Sequence, residues 1–171
     1  MFGRRRLLGR DHARRWSGRH PRRGPDRARP QVLFETPDPG EAFACWRLLG
    51  RSGYEMSWCP GPGGSPSGTC ALVASGDCAL AERAGVIVSS LGLHHESSRQ
   101  VLGAIRRRFP ETPVIVTTTA AGSRQWASLL TGIRTLFLPV TRRTLLASVE
   151  AATGRSRWAQ PRWPTEGSLG R

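Results

Sequence analysis

The stretch from Gly85 to Thr119 constrains the fold more than any other part of the chain. It runs through an apolar segment, Gly85-Val86-Ile87-Val88, then Ser89-Ser90-Leu91-Gly92-Leu93, then a helical stretch from Ser97 to Phe109. A second apolar segment follows, Pro113-Val114-Ile115-Val116, closing on Thr117-Thr118-Thr119. β-branched residues bounded by turn signals predict two buried strands, and the stretch between them is long enough for a crossover helix. Val101, Leu102, Ile105 and Phe109 fall on one helical face, with Arg106, Arg107 and Arg108 largely elsewhere, as a helix covering a sheet requires. Strand, helix and strand in this order predict parallel pairing.

The same alternation extends in both directions. Gln31-Val32-Leu33-Phe34 predicts a first strand, and Thr36-Pro37-Asp38-Pro39-Gly40 a turn that caps a helix. That helix, Glu41 to Leu49, is expected to turn Ala42, Phe43, Trp46 and Leu49 toward a core. Tyr54 to Trp58 alternates as a second strand. A Gly/Pro/Ser loop then runs from Cys59 to Gly68, followed by an apolar patch at Cys70 to Val73 and a short helix at Ala79 to Arg83. After Thr119 the pattern predicts a helix from Ser123 to Gly132 carrying Trp126, Leu129 and Leu130. A fifth strand is expected at Leu136-Phe137-Leu138, and a last helix from Arg142 to Ala152 with Thr141 as its N-cap. Five strands alternating with helices predict an α/β domain over residues 31–153. Its expected form is a doubly wound parallel sheet of flavodoxin-like order 2-1-3-4-5, covered on both faces.

Charge separates the ends from the middle. All 26 basic residues are arginine, and there is no lysine. Residues 1–30 hold 11 Arg against two acids (net +9), residues 31–153 hold 11 against nine (net +2), and residues 154–171 hold four against one (net +3). The basicity therefore belongs to the ends, which weakens any argument that the folded part binds nucleic acid. Residues 1–30 are expected to form a disordered arm, because Arg, Gly and Pro dominate and little apolar surface offsets the ordering entropy. The preferred reading of that arm is a solvated leader. The alternative is a nucleic-acid contact through Arg4, Arg5, Arg6, Arg14, Arg15, Arg22 and Arg23. No apolar h-region follows the arginines and no apolar run is long enough to span a bilayer, so the expectation is a cytoplasmic protein with no membrane segment. Residues 154–171, with Trp158 and Trp163, are expected to form a flexible tail.

In its order of elements the chain resembles the receiver domains of two-component response regulators. The resemblance rests on Val32-Leu33-Phe34 through Asp38-Pro39, Gly53-Tyr54-Glu55, Ser90-Leu91-Gly92-Leu93, Val101 to Val116 and Leu136 to Val149. It covers residues 31–153 and is poor between Cys59 and Arg83. A receiver of this family needs two acids after its first strand to hold Mg²⁺ and an Asp after its third to accept the phosphoryl group. It also needs a hydroxyl after its fourth and a Lys after its fifth. Placed on this sequence, the acidic pair falls on Thr36 and Pro37, with Glu35 and Asp38 flanking, and the acceptor falls on Ser90. Thr118 matches the hydroxyl position, and Leu138 stands where the lysine would be. Phosphoryl transfer is mostly charge neutralisation. Removing one such electrostatic partner costs ~10²-fold where electrostatics carry catalysis, so losing nearly all of them implies a pseudo-receiver that is not an enzyme and binds no cofactor. The resemblance then implies a regulatory module acting through protein contacts at its last strand and helix, with another protein or a second copy as partner.

Four cysteines remain. Cys45, mid-helix beside Trp46, reads as a small core residue. Cys59, Cys70 and Cys78 surround the irregular loop and read first as reduced thiols. The alternatives are a zinc site that orders the loop, with His94 or His95 completing the set, and a redox-labile cysteine pair. No Cys-x-x-Cys knuckle, phosphate-binding loop or serine-hydrolase motif is present.

Overall fold

The computed structural model describes residues 29–64 and 68–154. The expectations for the basic arm, and for the tail with Trp158 and Trp163, lie almost wholly outside the described residues. β1 (Gln31–Glu35) leads through Asp38, whose side chain accepts from the Gly40 amide, into α1 (Pro39–Arg51). β2 (Glu55–Cys59) follows, then a 3₁₀ turn at Pro62–Gly64 and two four-residue helices, α2 (Ala71–Ala74) and α3 (Ala79–Glu82). The second half comprises β3 (Val86–Ser89), α4 (Glu96–Arg108), β4 (Val114–Thr118), α5 (Ala120–Gln125), β5 (Arg134–Phe137) and α6 (Arg142–Ala152). The strands form one sheet in the order β2-β1-β3-β4-β5, all pairs parallel, as the alternation predicts.

Strand parity assigns the two cores. Val32, Phe34, Val86, Val88 and Ile115 face α1 and α6, packing on Cys45, Leu49, Leu145 and Val149. Leu33 and Ile87 face the other way, onto Leu72, Ala81, Val101, Ala104 and Ile105 of α2, α3 and α4. A third cluster joins Val116 to Leu93, Leu102 and Leu130. Thr141 caps α6 as expected, in a reciprocal pair with Thr144. Among the described residues, no helix is long and apolar enough to cross a membrane.

Two expectations need correction. α1 buries Ala42, Cys45 and Leu49, whereas Phe43 and Trp46 stand exposed. The small Ala and Cys side chains let the helix lie close against Phe34 and Val32, and the rings are displaced over the edge strand. The helix expected at Ser123 to Gly132 instead starts at Ala120, capped by Thr119, and ends at Gln125. Trp126 leaves helical geometry and packs its ring under the Arg99 guanidinium, 4.2 Å away, and the chain continues in turns to Gly132.

Candidate functional site at the carboxyl ends of the strands

The parity that builds the α1-facing core also decides which side chains meet above the sheet. Thr36 continues the Val32–Phe34 face, Ser90 the Val86–Val88 face, and Thr117 the Ile115 face. The Ser89–Val116 register sets Ser90 beside Thr117. Two of these hydroxyls meet Glu41, in the first turn of α1, and the third reaches it through Ser90. The Thr36 hydroxyl donates to Glu41 Oε2 at 2.5 Å and the Ser90 hydroxyl to Glu41 Oε1 at 2.9 Å. The Thr117 hydroxyl donates to Ser90 Oγ at 3.0 Å. The α1 N-terminus is a favourable place for this carboxylate. Thr36 is buried, and its Oγ also accepts from the Asp38 amide, so the network is tied into the α1 entry turn.

The positions expected from the sequence are distributed differently. Thr36 and Ser90 belong to the network. Pro37 is an exposed turn residue, and its neighbour Asp38 is used as the α1 cap. Thr118, expected to supply the hydroxyl, lies on the opposite parity beside Gly122; Thr117 takes its place at Ser90. Leu138 follows β5, half exposed, its amide bonded to the Thr118 carbonyl. Glu41 carries no site signature of its own in the sequence. The spacing Asp38-Pro39-Gly40-Glu41 was its only signal, and in a helix start that spacing ordinarily means capping.

Glu35 shows why an acid next to the expected metal position does not serve it. It is the last residue of β1 and points into the other core, 4% exposed. Burial pushes its carboxyl up from 4.5 to about 7, opposed by a hydrogen bond from Ser89, and Oε2 has no partner. A Mg²⁺ site needs converging oxygens. Here the Glu41 carboxylate already accepts two hydroxyl bonds, Asp38 is used as the α1 cap, and Glu35 faces away. The donor set does not fit the metal.

The loop cysteines do draw together. Cys59, Cys70 and Cys78 are half-buried against the α2–α4 core. Burial pushes the Cys59 thiol up to about 11, with the Gly61 amide opposing and Glu35, Cys70 and Cys78 adding to the rise. Yet no group of three or more His, Cys, Asp or Glu among the described residues could hold a metal ion. His94 and His95 are exposed and lie against each other, ring centroids 3.9 Å apart, instead of completing the set. Cys45 is buried, as expected, and burial pushes its thiol up to about 11, with Glu41 adding to the rise.

Comparison with known proteins identifies the fold. No family model matches the chain, and no curated protein matches it by sequence. Solved structures do. A response regulator receiver domain protein from Clostridium thermocellum superposes with a TM-score of 0.57 at 16% identity, covering 74% of this chain and 95% of that one. The signal receiver domain of an HD domain-containing protein from Pseudomonas fluorescens gives 0.56 at 19% identity, covering 74% and 96%. A structure described as adenylate cyclase from Rhodopirellula baltica gives 0.56 at 15% identity, covering 75% and 90%. The chain thus has the receiver fold. A fold shared under such different descriptions does not by itself assign an activity.

Proposed function

We propose that this chain is a receiver-like regulatory module that works through protein–protein contact and does not accept a phosphoryl group by the usual aspartate chemistry. The observation that carries this reading is the network at the strand ends. Ser90 stands where a receiver keeps its acceptor, and its hydroxyl already donates to Glu41 and accepts from Thr117. A serine hydroxyl cannot form an acyl phosphate. Among the described residues, no histidine or second carboxylate bonds to Ser90 to activate it as a nucleophile in another reaction. The family's ammonium is also missing, since the chain has no lysine and an alkyl side chain follows β5.

The contact face of such a module is the last strand and helix. Phe137 and Leu138 are exposed there at 57% and 50%, beside α6. Apolar side chains of this size at a sheet edge suit a second copy or another protein, and a cytoplasmic signalling or transcriptional setting fits that role. A Mg²⁺ titration of the full-length chain, followed by amide chemical shifts, tests the reading. No saturable shift is expected at Glu35, Thr36, Glu41 or Ser90. A saturable shift centred on those residues would mean that the metal site of a working receiver survives.

A further inference from the structure

A different face of the molecule is unused by that reading. Phe43, Trp46 and Trp58 are exposed at 58%, 56% and 43%, on the outer side of α1 and the edge strand β2. With Pro39, Ala42 and Met56 they line a groove of about 290 Å³. Trp46 and Met56 also wall a wider trough of about 690 Å³, whose rim carries Arg29, Arg47 and Arg51 and a single acid, Glu55. An apolar cleft and a basic trough therefore run into each other. The rings are held in place. Trp58 Nε1 donates to the Thr36 carbonyl at 2.9 Å, and Phe43 and Trp46 stack with centroids 6.0 Å apart. Side chains already ordered lose little freedom when a partner arrives. Aromatic residues, Met and Arg are also the types enriched at contact centres.

We propose that this α1–β2 face binds an acidic protein segment with apolar anchors, the anchors entering the groove and the carboxylates meeting Arg29, Arg47 and Arg51. Charge selects among the occupants. Residues 1–28 hold 10 Arg against two acids (net +8) and residues 154–171 carry net +3, so either end of the chain would bring arginines onto arginines. A second copy docking through the same face would do likewise. Single-stranded nucleic acid has the right sign, but it needs open ring faces on which bases can stack. Phe43 has Trp46 on one side and the Arg47 guanidinium 5.9 Å from its centroid. That arrangement favours an inserted side chain over a ladder of bases.

This inference rests on the protein-contact reading above, yet the two fail separately, because the metal titration reports on the strand ends and the following experiment on α1 and β2. A displayed library of random peptides is panned against the full-length chain, and enriched peptides are synthesised and measured by fluorescence anisotropy. Enriched sequences are expected to combine Asp or Glu with Leu, Ile, Phe or Trp, and to bind more weakly as salt rises. Trp46→Ser and the double variant Arg47→Glu, Arg51→Glu are each expected to weaken binding ~10-fold or more. Glu111→Gln, in the exposed turn before β4, should leave it unchanged. If Trp46→Ser loses its cooperative unfolding transition, Arg51→Glu alone, at the exposed end of α1, carries the test. Four results would overturn the proposal: no enriched peptide that responds to these substitutions, an oligothymidylate that binds in a Trp46-dependent manner where acidic peptides do not, a Trp46-dependent dimer by light scattering, or peptide binding that appears only in Trp158→Ser, Trp163→Ser chain.

Discussion

Replacing Glu35 by glutamine should remove part of the pH dependence of stability. The Glu35 carboxyl sits in the α2–α4 core, where burial raises it from 4.5 to about 7 against the pull of Ser89. Between those values the folded chain holds a proton that the unfolded chain has released. The stabilisation from the neutral acid is therefore fully present below about 4.5, falls as pH rises through the window, and is lost above about 7. At ~1.4 kcal/mol for each pH decade between the two values, the loss comes to about 3 kcal/mol. Glutamine keeps the shape and can still accept from Ser89, but it cannot ionise. Urea midpoints for wild type and Glu35→Gln, measured from acid to mildly alkaline pH, isolate this group because every other carboxylate cancels in the difference. Near pH 4 the two should differ by about 1 kcal/mol or less, reflecting the amide left without a partner at the old Oε2. Near pH 8 the difference should have moved by about 3 kcal/mol in favour of the variant, on the order of 10 °C in Tm for a domain of this size. A difference that stays flat with pH would show that Glu35 is hydrated or paired, and the placement of β1 would be wrong.

Other substitutions probe the network and the packing. Ser90→Ala removes one partner of Glu41 and the partner of Thr117, and should cost about 1–2 kcal/mol in urea unfolding. Leu49→Ala, fully buried between α1 and the sheet, should cost about 2–5 kcal/mol. Phe43→Ser on the same helix should stay within about 0.5 kcal/mol, which the original expectation of a buried Phe43 would not allow. Cys59 alkylation, followed by intact mass, should still be accelerating well above neutral pH, as a thiol pushed to about 11 requires.

What was legible in the sequence, and what was not, follows from the range of the interactions. The runs Val86–Val88 and Val114–Val116 declare themselves as buried strands because both of their neighbours are apolar layers, and the strand order follows from the alternation. Helix faces were harder to read. In α1 the bulky set Phe43, Trp46 and Leu49 and the small set Ala42, Cys45 and Leu49 both keep helical spacing. The close approach of the helix to Phe34 chooses between them, and that is a tertiary fact. At the strand ends, resemblance points to Thr36, Ser90 and Thr118, whereas the parity of β4 against β3 sets Thr117 beside Ser90. That parity was available: Ile115 and Thr117 continue one face as surely as Val88 and Ser90 do. Glu41 was hidden, because its carboxylate bridges β1 and β3 through contacts that no local pattern encodes.

The measurement that bears most directly on the central claim is the intact mass of the full-length chain after incubation with a small phosphodonor and Mg²⁺. No acid-stable, base-labile phosphoryl adduct is expected, with Ser90, Glu41 and Glu35 all recovered unmodified after digestion. An acyl phosphate on Glu35, Asp38 or Glu41 would contradict it, because a carboxylate here assigned to the core, the α1 cap or the hydroxyl network would then be doing the work of the missing aspartate.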